Sequence, residues 1–451
     1  MPTYANTPAE RSRRPERLVL AVLVALCGLM LVAGFANKDR CAGPGYDAHG
    51  VTQPSIGTKQ YAEVCYSDIQ YLWQARELDR HRFPYTDGGL DARGELTGGS
   101  VEYPVLTGML IWLGSVFAGN DGQFLLVSAL LLAPFGLFTA FALGKLTRWR
   151  ALCWSLAPAL VLYGFHNWDL AVVAVSTSGF LALLRWRRPF EQRAVLAAVL
   201  FGLGFALKLY PALFVLPLLA LTWTRGARVS RVLAAAIAPA VLVNLPFVAL
   251  GFDGWLASFT FQAARKVDIT TNSIWFWAFR PYSNPDNQAF QDAVGLAAPL
   301  AVLLGCALAL YLGHRRCLRT GEYPFVAVCA AMLCAFLLLY KVHSPQYVLW
   351  LLPFFALLRV HPGWIVSYLL VDVVFGIGLF RWYYQIDSGI YDGFAAQAVM
   401  IGVWGRAALL AGLFPAFLRA APGWHTGFVD ADHVIPRADL DRGDDQRDHP
   451  D

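Results

Sequence analysis

The sequence predicts an all-α, polytopic membrane protein, and three observations carry that reading. Apolar residues make up 57% of the 451 residues and charged residues only 15%, against about a quarter charged in ordinary soluble domains. Apolar runs recur along most of the chain, with arginine and lysine clusters following them at intervals. One long polar segment interrupts the pattern after the first run, and it carries Cys65-Tyr66-Ser67-Asp68-Ile69-Gln70-Tyr71-Leu72-Trp73.

The first run, Leu18 to Ala36, follows Arg11, Arg13, Arg14 and Arg17. Its outline is that of a signal peptide, but its length of about twenty residues and the lack of a small-residue cleavage site point to a retained span. Basic clusters recur at Lys145/Arg148/Arg150, Arg185/Arg187/Arg188, Arg225/Arg228/Arg231 and Arg315/Arg316/Arg319. Such clusters stay in the cytoplasm, which predicts twelve spans: about 17–36, 122–144, 151–165, 169–184, 194–207, 211–223, 232–250, 291–312, 323–340, 346–358, 363–380 and 394–418. The chain then divides into a cytoplasmic segment 1–16, a transmembrane domain 17–418 and a cytoplasmic tail 419–451, whose mixed Asp, Arg and His predict disorder from about 429. The net charge of +5 reports orientation and not a nucleic-acid partner.

Counting Val105 to Ala118 as a span would place Lys145 to Arg150 outside, so residues 104–118 are expected to form a helix on the outer surface, begun by Pro104. The first external loop is then 37–121. A second, 251–290, carries Arg265-Lys266-Val267-Asp268 and Trp275-Phe276-Trp277, and its aromatics equally suit an ordinary interfacial belt. The arms 151–164, 170–184, 194–207 and 212–223 are near fourteen residues, which as helices reach about 21 Å against a hydrocarbon core of about 30 Å. A third pair, 323–340 and 347–358, has one short arm. Their tips should sit below the outer membrane plane and open a recess. These tips read His166-Asn167-Trp168-Asp169, Lys208-Leu209-Tyr210-Pro211 and Lys341-Val342-His343-Ser344-Pro345-Gln346-Tyr347. Ionisable residues at membrane depth are costly and line polar cavities.

In the polar segment, Ile69, Leu72 and Trp73 share one side of a short helix that should lie on an apolar surface, with Asp68 at its leading end. An aspartate there suits chemistry, and it equally suits a helix cap. Glu102 and Asp169 carry the same ambiguity, since an acid gains from a helix dipole. Lys208 is either an interfacial snorkeler or an anion ligand, and His343 also suits a buried neutral imidazole. Asp372, inside an apolar run, favours a rival class, a proton-coupled transporter or lipid flippase. Transporters, however, concentrate polar groups at the midplane and show inverted repeats. Of eight cysteines, Cys41 and Cys65 alone fall in the polar segment. Outside the cytoplasm they form either a disulfide closing about 24 residues, worth about 3 kcal/mol, or two free thiols. No HExxH, Walker loop or dinucleotide-binding glycine motif is present.

Ser67-Asp68-Ile69, then Glu102-Tyr103-Pro104, then Lys208-Leu209-Tyr210-Pro211 with an apolar helix after it, occur in an order that resembles the C-fold glycosyltransferases, the GT-C superfamily. The resemblance covers about residues 17 to 418. Within that superfamily the chain is most similar to glycosyltransferase family 87, which includes actinobacterial polyprenyl-phosphate-mannose-dependent mannosyltransferases. The resemblance implies a plasma-membrane enzyme that moves a sugar, mannose foremost, from a polyprenyl-phosphate donor to a hydroxyl of a cell-envelope lipid or glycan on the outer face, by inversion, with Asp68 as general base. Tyr103-Pro104-Val105 departs from the commoner Tyr-Pro-Pro, which bears on sugar and acceptor more than on class.

A departing lipid phosphate gathers negative charge, and cations aimed at it lower the barrier. Lys208, Arg265, Lys266, Lys341 and His343 are the candidates. Glu102, Tyr103, Asn167, Asp169, Tyr210 and Gln346 are the expected substrate contacts. The sequence identifies no cofactor, and a divalent cation bridging Asp68 or Glu102 to phosphate is left open.

Overall fold

The computed structural model describes residues 8–54 and 56–424, so the tail disorder expected from about 429 lies outside the described residues. The chain is an all-α, multi-pass membrane protein. Among the described residues seven helices are long and apolar enough to cross a membrane: Glu16–Asp39, Asp121–Ser155, Phe190–Leu207, Val229–Leu250, Gln288–Thr320, Pro362–Asp387 and Phe394–Arg419. Strand structure is confined there to three two-residue antiparallel ribbons.

The short arms are the interior of the bundle and the long helices its rim. Phe325–Leu339 and Val348–Leu357 are buried along nearly their whole length, as expected of helices that are apolar on every side. Ala212–Thr224 has thirteen residues, about 20 Å of helix at 1.5 Å per residue. Val229–Leu250 and Gln288–Thr320 instead leave most of their leucines exposed. Close helix approach depends on small residues, as at Gly202, where a Cβ would overlap the Ala236 carbonyl.

Seven of the twelve expected spans fall on those seven long helices, and the other five, 151–165, 169–184, 211–223, 323–340 and 346–358, fall on shorter ones, two of which differ further. Residues 151–165 are not one helix: a 3-10 turn Arg148–Ala151 and a short helix Leu152–Ser155 precede a separate helix Pro158–Tyr163. Pro158 has no amide hydrogen and pushes Ala157 into an extended conformation, which ends the preceding turn. The expected span 346–358 is a 3-10 turn, Pro345–Tyr347, leading into Val348–Leu357.

The first long loop, 37–121, is folded onto the bundle. Cys41 and Cys65 are joined by a disulfide, and Arg40 donates to the Glu63 carbonyl beside it. The helix Val105–Val116 turns Val105, Thr107, Gly108 and Ile111 inward, and Thr107 Oγ1 donates to the Leu207 carbonyl at 2.7 Å. A second wall comes from the helix Phe252–Ala264, which lies inside the other long loop. Gly254 fits against the Tyr85 carbonyl where a side chain would collide. Ser258 Oγ donates to the Val101 carbonyl at 2.6 Å, and Gln262 Nε2 donates to that of Glu102 at 2.9 Å.

Asp372 is buried between the last two long helices, with Arg406 Nη1 3.8 Å from its carboxylate. The intramembrane acid therefore has a cation beside it, and the Phe375 ring lies against the same guanidinium.

Candidate active site

A cleft of about 730 Å³ lies between the two folded loops and the hairpin tips. Its chemistry starts at Ser67, an extended residue whose Oγ accepts from the Ile69 amide and donates to the Phe165 carbonyl at 2.7 Å. Ser67 thus caps the helix Asp68–Ala75. Because the cap position is taken, the Asp68 carboxylate is free to face the cleft. The Asp68 amide donates to the His166 carbonyl at 2.9 Å, stapling this helix onto the first hairpin tip.

Asn167 ties this wall of the cleft together. Its Nδ2 donates to Asp68 Oδ2 at 2.8 Å and to the Tyr103 hydroxyl at 2.7 Å. Its Oδ1 accepts from Lys208 Nζ at 3.2 Å. One amide therefore links the acid of the first loop to the lysine of the second tip. Lys208 Nζ also donates to Asp169 Oδ1 at 2.7 Å, and Trp350 Nε1 donates to the same oxygen at 2.7 Å. Asp169 is fully buried and Lys208 is 11% exposed, an arrangement in which each charge compensates the other's desolvation. The ammonium stands 5.6 Å from the Tyr103 and Trp350 ring centres. Tyr210 stacks on Trp350 at 4.2 Å, and Trp350 on Tyr347 at 3.8 Å.

Behind Asp68 lies a second layer, built of His166 from the first hairpin tip, Tyr66 and a lysine that no sequence pattern singled out, Lys38. His166 Nε2 is 3.6 Å from the carboxylate, and its Nδ1 faces the Tyr66 carbonyl at 3.2 Å. Lys38, fully buried, donates to that same carbonyl at 2.6 Å. Burial holds the His166 imidazole below its ordinary range, with Asp68 opposing that effect. Burial pushes the Tyr66 hydroxyl well up and nearby Asp68 adds to it, so the phenol stays protonated.

The remaining expected residues divide. Arg265 lines the cleft and donates to Thr270 Oγ1 at 3.1 Å, and among the described residues no carboxylate lies within 4.0 Å of it. Gln346 lines the same wall with its Oε1 buried and unpartnered. Lys341 turns to the Ala263 carbonyl and Lys266 to that of Pro285, and neither lines the cleft. His343 is buried behind Tyr347, and burial, with Arg406 adding, holds its ring well below the ordinary imidazole range. It is neutral at physiological pH.

Glu102 faces the cleft paired with Arg76, whose Nε is 2.8 Å away. Arg76 escaped the sequence reading, although it stands at the C-cap of the helix that Asp68 begins. A divalent cation in this cleft would have the carboxylates of Asp68 and Glu102 to hold it, the first shared with Asn167 and the second with Arg76. Among the described residues the one cluster with metal-ligand spacing is Cys41, Glu63 and Cys65, and both of its sulfurs are in the disulfide.

No curated protein matches the chain. Two solved structures are similar at 12% identity and a TM-score of 0.40: an oligosaccharyltransferase from Archaeoglobus fulgidus in the apo form, and the archaeal oligosaccharyltransferase AglB from the same organism in complex with an inhibitory peptide and a dolichol-phosphate. The match covers 88% and 89% of this chain but only 56% of each of those chains. Residues 103–340, just over half of the chain, match the model of glycosyltransferase family 87. That stretch includes Asn167, Lys208 and Arg265 and begins after Asp68, and on its strength this multi-pass membrane protein belongs to glycosyltransferase family 87.

Proposed function

We propose that the cleft transfers a sugar, mannose foremost, from a polyprenyl-phosphate carrier to a hydroxyl of an envelope lipid or glycan, on the extracytoplasmic side of the plasma membrane. The observation that carries this reading is the Asn167 amide, which holds Asp68 and Lys208 on one cleft wall. The acceptor oxygen attacks the anomeric carbon while its proton passes to Asp68. The carbon–oxygen bond to phosphate breaks on the opposite face, the electron pair leaves with the polyprenyl phosphate, and the configuration inverts. Lys208 and Arg265 meet the charge that builds on that phosphate. Arg265 answers it most directly, having no carboxylate beside it among the described residues, whereas Lys208 is shared with Asp169. The sidedness follows from the arginine clusters at the far ends of the hairpin arms, with both termini cytoplasmic.

The test is release of polyprenyl phosphate from a panel of polyprenyl-phosphate sugars by purified protein. Release should be lost with Asp68→Asn, which keeps the side-chain shape but cannot take a proton. Undiminished release by that variant would remove Asp68 from the reaction.

A further inference from the structure

The hydrogen on the imidazole behind Asp68 is placed by what faces its two nitrogens. His166 Nδ1 lies 3.2 Å from the Tyr66 carbonyl, and a carbonyl only accepts, so Nδ1 carries the hydrogen. Burial holds the imidazole below its ordinary range, so the ring is neutral and Nε2 keeps its lone pair. That lone pair stands 3.6 Å from Asp68 Oδ2. Two acceptors therefore face each other with no hydrogen between them. Lys38 Nζ donates to the same Tyr66 carbonyl at 2.6 Å, and its charge opposes a second proton on the ring. The rings of Tyr66, Tyr163 and Phe380 stand 5.6, 6.1 and 5.8 Å away, so the imidazole is enclosed in this orientation.

The neighbours of Asp68 thus serve its two forms separately. Asn167 Nδ2 donates to Oδ2, which favours the charged carboxylate. A lone pair aimed at that carboxylate gives it nothing, and it becomes useful only when Asp68 has a hydrogen to donate. During transfer the acceptor's O–H bond breaks as its oxygen bonds to the anomeric carbon, and the hydrogen forms a new O–H on Asp68. Turned to Nε2, that O–H makes a bond the ionised residue lacks. The proton stays on Asp68, because an imidazolium would stand beside the Lys38 ammonium across the carbonyl they share.

We infer that His166 is a positioning residue for the base: locked by the Tyr66 carbonyl with its hydrogen on Nδ1, it accepts the O–H of Asp68 once the acceptor's proton has arrived there. The inference rests on the transfer reading above and adds a residue to it. An interaction made only as the proton moves raises turnover without tightening substrate binding.

The test uses full-length protein and measures release of polyprenyl phosphate from polyprenyl-phosphate mannose and the other donors of the panel. His166→Phe keeps a ring in place and removes both nitrogens. It should lower kcat about tenfold, the worth of one hydrogen bond, with donor KM shifting less than twofold. His166→Gln, whose amide offers an acceptor oxygen, should recover most of that loss. In the Asp68→Asn background, where no proton is taken, adding His166→Phe should cost no further residual release. A packing role alone predicts a raised donor KM, no recovery with Gln and an equal loss in both backgrounds. If His166→Phe does not fold, His166→Leu compared with His166→Gln decides. Unchanged kcat in the folded variant, or an equal further loss in the Asp68→Asn background, overturns the inference while leaving the transfer reading intact. A requirement for added magnesium or manganese after chelation, lost with His166→Phe, would put a cation between Nε2 and the carboxylate and also overturn it. Undiminished release by Asp68→Asn, or no donor cleavage by the unaltered protein, overturns both.

Discussion

At the scale of single residues the site turns on how each charge is matched. Asp68 is capped away from its own helix by Ser67 and handed to Asn167, which leaves its carboxylate available as a base. General-base catalysis contributes about 10²- to 10⁴-fold, so Asp68→Asn should lower turnover by about that much in a donor-cleavage assay, with an unchanged thermal unfolding midpoint. Lys208 and Asp169 respond differently because they are buried together. Lys208→Met strands a buried carboxylate and should cost about 3–5 kcal/mol, whereas Lys208→Met with Asp169→Leu should recover most of that stability without recovering activity. Thermal unfolding and donor cleavage measured on the same preparations check both halves. Recovery of activity in the double variant would show that the lysine serves structure alone.

At the scale of elements, the hairpin tips and the disulfide-bearing loop are the parts whose stability responds to conditions. His343 sits in the third tip with its imidazole held neutral by burial. An unfolded chain binds a proton there below about pH 6.5 that the folded chain refuses, so stability rises with pH through that window and falls as the solution is acidified. His166 contributes in the same direction. The unfolding midpoint of His343→Gln in detergent should therefore depend less steeply on pH between about 5 and 7 than that of the unaltered protein, and equal slopes would refute this assignment. The Cys41–Cys65 bond closes a loop of separation 24, worth about 3 kcal/mol in the chain-entropy model. Reduction should accordingly speed proteolysis within 37–121 before it affects the transmembrane helices.

At the scale of the whole molecule, short central helices surrounded by longer ones create the recess, and two loops fold over it. The proposed sidedness is open to direct measurement: cysteine introduced at Arg93, in the first loop, should react with a membrane-impermeant maleimide in intact cells, and cysteine at Arg187 only after permeabilisation. The reverse pattern would invert the topology and move the cleft to the cytoplasm.

Much of this plan is legible in the chain itself. Apolar runs and the basic clusters after them declare a membrane bundle because charge cannot be left in lipid, and the period of Ile69, Leu72 and Trp73 places Asp68 at a helix start whichever way the bundle packs. Only the tertiary structure decides which charges meet. Lys208 finds Asp169 across 39 residues and Asp68 finds Asn167 across 99. Arg76 finds Glu102 across 26, while Lys341 and Lys266 turn aside to backbone carbonyls. Such pairings depend on where separate helices and loops come to rest against one another, and a local sequence pattern holds no information about that.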